Sequence, residues 1–190
     1  MIELDASVLH AFERDGWVVL PDVLSAPEVD EARAALLGAA EASEARGIPT
    51  TMDYLDPGGR NIRVYDLLEY HPIFVDLVAH PSVIPYVAHL LDHDLAVSNF
   101  TANTALPGSQ SMNAHNDQST VMPEPWLTRY TMNAIWCLDD TDEANGATRY
   151  LPGSHLLPCF ADVPDDPAAA MVPFEAPAGS IILMDGRLWH

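Results

Sequence analysis

At 190 residues the chain has room for one domain with a sizeable core, and its 48% hydrophobic and 19% charged residues are those of an ordinary globular protein. Acidic residues outnumber basic ones 28 to 8, all eight basic residues are arginines, and the net charge is −20. That balance argues against nucleic acid or an anionic membrane surface as a partner, because both need positive patches.

In chain order, Val8, Leu9 and Phe12 recur at helical spacing and predict a helix over 5–15, capped by Asp5 or Ser7 and ended by Asp15-Gly16. Trp17–Leu20 reads as a strand stopped by Pro21. Ser25-Ala26-Pro27-Glu28 carries a helix-start signature, and the alanine-rich helix runs to about Arg46, where Gly47 ends it. Residues 47–60 are turn-rich, with Pro49, Pro57, Gly58 and Gly59. Arg60–Tyr65 then reads as a strand or the edge of a site. Short helices follow at 73–78 and 83–91; His71, His80, His89 and His93 read as surface or capping residues.

From residue 94 the pattern turns to short strands. They are expected over 95–104, 111–115, 130–138, 147–151 and 179–184, with turns at Pro107-Gly108 and Pro152-Gly153 and loops over 119–129 and 155–175. Helices followed by a run of strands predict an α+β, mainly β chain with a sandwich or small barrel. Cys137 and Cys159 lack C-x-x-C spacing and fit a reducing compartment. The N-terminus has no signal-peptide pattern and no apolar run is long enough to span a membrane, so a soluble cytoplasmic protein is the expectation.

The chemistry concentrates in Ala114-His115-Asn116-Asp117-Gln118 and in the last residue, His190. Residues two apart on an extended strand point to one face, so His115 and Asp117 can offer an imidazole nitrogen and a carboxylate oxygen to one metal ion. His190, from a distant strand, would complete a 2-His-1-carboxylate facial triad, a ligand set with open positions that suits non-haem Fe(II).

Several blocks together resemble the phytanoyl-CoA dioxygenase-like family of Fe(II)/2-oxoglutarate oxygenases. They are Phe12–Leu20 with Val23-Leu24-Ser25, Pro107-Gly108 before the H-x-D, Trp136–Asp140, Asn145-Gly146-Ala147, Leu151–His155, Gly179-Ser180-Ile181 and Asp185–His190. The resemblance implies a double-stranded β-helix (jelly-roll, cupin-like) core with flanking N-terminal helices. It makes residues 1–190 one dioxygenase domain, with 1–93 mostly helical and 94–190 a jelly-roll core lacking its last strand. It implies Fe(II), 2-oxoglutarate as cosubstrate and O2, with decarboxylation of 2-oxoglutarate to succinate and CO2 and hydroxylation of a small-molecule metabolite. His115, Asp117 and His190 match the iron ligands, and Arg63 falls where some members reach the 2-oxoglutarate. Asn133 lies on a strand face from which it would bond the cosubstrate or satisfy strand-edge backbone. Gln118, Met122 and Trp126 either wall the substrate pocket or pack the loop, and His155 packs or caps.

Members of the family continue past the distal histidine into a strand bearing an arginine for the far carboxylate of 2-oxoglutarate, a role suited to its planar fork. Arg187 precedes His190 and does not match it. The expectation is a C-terminally truncated form of a longer enzyme. The alternatives are a naturally short form in which Arg63 or Arg60 holds the cosubstrate, or a non-catalytic jelly-roll binding protein. A halogenase is disfavoured by Asp117, since that chemistry replaces the carboxylate ligand, and a cupin-like Zn or Mn protein would need further histidines near the H-x-D.

Overall fold

Helix α1 (Ala6–Asp15) begins where the Asp5 carboxylate accepts a hydrogen bond from the Ser7 amide, and it ends on Gly16, whose φ of 79° closes the last turn. A computed structural model describes residues 4–56 and 58–190; Met1–Glu3 and the turn proline Pro57 lie outside the described residues. The chain divides into two compact units: residues up to Val23 with Ser82–Leu95 and Ala114–His190, and Leu24–Pro81 with Ala96–Asn113.

The first unit is built on an antiparallel sheet of β1 (Trp17–Leu20), β4 (Met132–Trp136) and β7 (Ile181–Asp185), with β7 in the middle. Every residue of β7 is buried, as its unbroken apolar run requires of a strand covered on both faces. On one face Leu20, Ile181 and Leu183 pack with Phe12 of α1 and with Tyr86, Val87 and Leu90 of helix α4 (Ile84–Leu91). On the other, Ile182, Met184, Trp17 and Ile135 meet Tyr150 of a second, two-stranded ladder of β5 (Arg149–Tyr150) and β6 (Val172–Pro173), and Phe174, the residue after β6. The Tyr150 and Phe174 rings stack at 4.4 Å and the Trp17 ring meets Phe174 edge-on at 5.0 Å. Phe12 and Phe174 are both completely buried, each contributing about 2–3 kcal/mol.

In the second unit, helix α2 (Ala26–Ala45) starts with a capping box between Ser25 and Glu28. It packs on β2 (Asn61–Val64), which pairs antiparallel with β3 (Ala102–Ala105), and on helix α3 (Pro72–Val78). His71 caps α3, its ring accepting from the Ile73 amide at 3.2 Å. Among the described residues no helix is long and apolar enough to cross a membrane.

Three local expectations are corrected. The strand expected over 95–104 is confined to Ala102–Ala105, and β6 lies inside the region expected to be loop. The segment 111–115 is not a strand; its His115 exchanges backbone hydrogen bonds with His190 in a single rung.

Candidate metal centre

The site begins with backbone. His115 N–H donates to His190 C=O at 3.0 Å and His190 N–H returns a bond to His115 C=O at 2.9 Å. This reciprocal pair is one narrow antiparallel rung, and it brings the two imidazoles together with centroids 4.4 Å apart. Extended backbone ends at Asn116 (φ −123°, ψ 143°) and a 3-10 turn runs over Asp117–Thr120, with the Asn116 side chain accepting from the Ser119 amide. Asp117 is therefore the first residue of a turn and still faces the same way as His115. Asp117 Oδ1 lies 3.7 Å from His115 Nε2, and Oδ2 lies 3.8 Å from His190 Nε2.

The three donor atoms, one from each residue, lie within 4.8 Å of one another. Two imidazole nitrogens and one carboxylate oxygen, all partly exposed, are the donor set of the facial triad and fit Fe(II). His190 Nδ1 is 3.0 Å from the Leu188 carbonyl, to which it donates as Nδ1–H, leaving the Nε2 lone pair on the Asp117 side. Burial pushes the His190 pKa below its ordinary value despite the pull of Asp117, so the ring is neutral, as a ligand must be.

The turn after β7 delivers His190 and is bolted down on several sides. Trp189 N–H donates to Ser154 Oγ at 2.9 Å and Trp189 C=O accepts from Leu151 N–H at 2.8 Å, so the Leu151–Ser154 block holds the residue next to His190. The Gly186 carbonyl accepts from the Gln118 amide at 2.8 Å, linking the turn to the segment that carries Asp117. Asp185, with no exposure, receives Arg129 Nε at 2.7 Å on Oδ2, and on Oδ1 the Arg187 amide at 2.9 Å and its Nε at 3.0 Å. Burial pushes the Asp185 carboxyl up, and the two guanidiniums outweigh it, leaving the pKa below the usual carboxylate value.

The remaining candidates are placed as follows. Asn133 Nδ2 donates to Asp117 Oδ2 at 2.5 Å. Gln118 is completely buried: its amide donates to the Thr128 carbonyl and accepts from the Tyr130 amide, both at 2.8 Å, so it staples the ends of the intervening loop. Trp126 is buried with Leu151, Met171 and Trp189, with Met122 packed against that cluster, and its Nε1 donates to the Met122 carbonyl. His155 is buried beside Gly16, its Nε2 3.4 Å from the Glu13 carbonyl. Arg63 belongs to the second unit and forks onto Asp56 at 2.5 and 2.7 Å, and Arg60 donates to the Pro107 carbonyl. Sequence reading missed the positioning network of Arg129, Asp185 and Ser154. The scarcity of basic residues was the available signal, since each arginine in so acidic a chain has carboxylates to choose among.

Comparison with known proteins shows the family and the fold. A dioxygenase of Aspergillus fumigatus, af480, is 47% identical over 175 residues, covering 92% of this chain and 57% of that protein. The ectoine dioxygenase of Sphingopyxis alaskensis is 28% identical over 172 residues, covering 86% and 54%. The chain thus spans little more than half the length of these curated relatives. Among solved structures, HygX from Streptomyces hygroscopicus, with nickel and 2-oxoglutarate bound, superposes with a TM-score of 0.77 at 18% identity, over 99% of this chain and 80% of its own. SnoK, a non-heme alpha ketoglutarate dependent carbocyclase from nogalamycin biosynthesis, gives 0.76 at 24% identity, over 98% and 77%. These superpositions show the mixed α/β jelly-roll fold. The family model for phytanoyl-CoA dioxygenase (PhyH) matches residues 12–190, and the chain belongs to that family.

Proposed function

We propose that residues 1–190 form a single domain of an Fe(II)- and 2-oxoglutarate-dependent dioxygenase that hydroxylates a small-molecule metabolite. The observation that carries this reading is the convergence of His115, Asp117 and His190, with donor atoms within 4.8 Å of one another. Iron bound there with 2-oxoglutarate and O2 would supply the oxidising power, with succinate and CO2 as by-products. The chain's own residues do the rest. The Leu188 carbonyl fixes the tautomer of His190, burial disfavours its charged form, and the reciprocal backbone bonds keep His115 against it. Asp117 supplies the negative donor, which favours hydroxylation over halogenation. The dioxygenase names of the Aspergillus and Sphingopyxis relatives support the reading. Cys137 and Cys159, both free thiols, suit a cytoplasmic setting.

The test is an anaerobic titration of the purified protein with Fe(II) and 2-oxoglutarate. The charge-transfer absorption of the chelate should develop with wild-type protein and be lost in Asp117→Ala. Wild-type protein that develops no band overturns the proposal, and an undiminished band in the variant overturns the ligand assignment.

A further inference from the structure

We infer that Asn133 is a positioning residue for the metal-binding carboxylate: it ties back Asp117 Oδ2 so that Asp117 binds through Oδ1 alone. The inference rests on the proposed iron site and concerns a residue of this chain that touches one of its ligands.

Asn133 sits on β4 in register with Met184 of β7, inside a three-stranded ladder. Its neighbours Met132 and Ala134 point to the side packed with α1 and α4, whereas Ile135 packs on the opposite side. The period of two places Asn133 with Ile135, on the inner face. The strand sets the Asn133 backbone, and the Gln118 staple with the 3-10 turn sets that of Asp117. What the backbone leaves free is rotation of the carboxylate about its own side-chain bonds. The Asn133 amide restrains that rotation, at 2.5 Å from Oδ2. An ionised carboxylate only accepts hydrogen bonds, so the amide nitrogen is the atom that faces it. Oδ1 lies 3.7 Å from His115 Nε2 and Oδ2 lies 3.8 Å from His190 Nε2, so both oxygens face the histidines. The Asn133 amide competes with a metal ion for Oδ2 and leaves Oδ1 as the unopposed donor.

The chemical consequence follows from counting positions. A facial triad works by leaving coordination positions open for small molecules. A carboxylate bound through both oxygens would occupy one of them. The Asn133 hydrogen bond opposes that second contact and, like other hydrogen bonds to ligating carboxylates, orients the donor before the metal arrives.

Asn133→Leu, which keeps the volume but removes the donor, and Asn133→Ala are titrated anaerobically with Co(II), followed by its visible absorption, first without and then with 2-oxoglutarate. Both variants should bind Co(II) about 10–100-fold more weakly without 2-oxoglutarate, the usual effect of removing a hydrogen-bond partner from a metal ligand. The Co(II) spectrum should also change shape, while the melting temperature of metal-free Asn133→Leu stays near that of wild type. Unchanged Co(II) affinity and spectrum in a folded variant overturn the inference. Normal Co(II) binding with weakened 2-oxoglutarate affinity also overturns it, because Asn133 then serves the cosubstrate. Wild-type protein that binds no Co(II) and shows no Fe(II)–2-oxoglutarate band instead removes the proposed function, and this inference with it.

Discussion

A Cβ added to Gly186 would lie 1.9 Å from Thr131 Oγ1 and 2.8 Å from the Thr131 carbonyl, which accepts the Gly186 amide. The collision is with a backbone atom as well as a side chain, so the turn before His190 has to move. Gly186→Ala should destabilise the protein by about 1–3 kcal/mol in urea unfolding, the usual penalty of overpacking. Metal affinity should fall with it, because the Gly186 carbonyl holds the Gln118 amide. Thr131→Ala removes the nearest atom and should recover part of the stability; recovery of none would place the strain elsewhere. Gly38, inside α2, has nothing within 4 Å of the same hypothetical atom, and Gly38→Ala should stabilise by about 0.5–1 kcal/mol through helix propensity. In the sequence Gly38 stands between apolar residues with no turn signature, whereas Asp185-Gly186 marks a turn but says nothing of what lies against the glycine. Gly16 was readable, because a glycine that ends a helical pattern has a conformational reason to be there. The need for Gly186 arises from a neighbour 55 positions away in sequence (186 minus 131), which no local pattern contains.

At the scale of elements, the end of β7 and the turn after it are held by Arg129. Its Nε meets buried Asp185 at 2.7 Å, Nη2 meets Glu13 of α1 at 3.0 Å, and Nη1 donates to the Leu90 carbonyl of α4 at 3.2 Å. Its guanidinium also lies 4.8 Å over the Phe12 ring. Arg129→Met leaves Asp185 with Arg187 alone and should cost about 3 kcal/mol in guanidinium unfolding, the lower end of what breaking a buried pair costs. A loss below about 0.5 kcal/mol, typical of surface pairs, would refute a buried structural role. The elements that were legible were those with local punctuation. Asp5 and Gly16 bracket α1, the Ser25–Glu28 box opens α2, and the apolar run of β7 ends in polar Asp185-Gly186. The H-x-D was legible as two donors that face one way, although its strand was not: one backbone rung to His190 replaces the ladder expected over 111–115. Such a rung depends on where the chain returns after β7, a tertiary fact. The same holds for Gln118 and Trp126, whose residue types fit a pocket wall as well as a loop core until the fold supplies Thr128, Tyr130 and the Leu151 cluster.

At the scale of the whole molecule the question is how a chain of net charge −20 responds to acid. Self-repulsion among surface carboxylates eases only near their ordinary pKa values, around 4, and salt screens it. Histidine titrates earlier. His155 is buried, and desolvation pushes its pKa below the ordinary value; the nearby Asp185 carboxylate and the Glu13 carbonyl pull upward, and Arg187 and Arg129 add to the depression. Its neutral ring packs against Gly16, where a Cβ would come within 2.6 Å. A group whose folded pKa is depressed contributes stability that is fully present above its unfolded pKa, about 6.5 for histidine. That contribution is lost as pH falls through the folded value, because the unfolded chain takes up the proton first. The melting temperature of metal-free protein should therefore decline from pH 7.5 to 5.5, before the exposed carboxylates begin to protonate. His155→Gln, neutral at every pH, should flatten the decline even if it lowers the melting temperature throughout. Running both proteins at two ionic strengths separates the causes: a surface effect shrinks with added salt, whereas the cost of charging a buried imidazole persists. A decline equally steep in His155→Gln would show that another group, such as His190, whose pKa burial also depresses, and not His155 sets the response to acid. A decline abolished by salt in wild type would assign it to the surface.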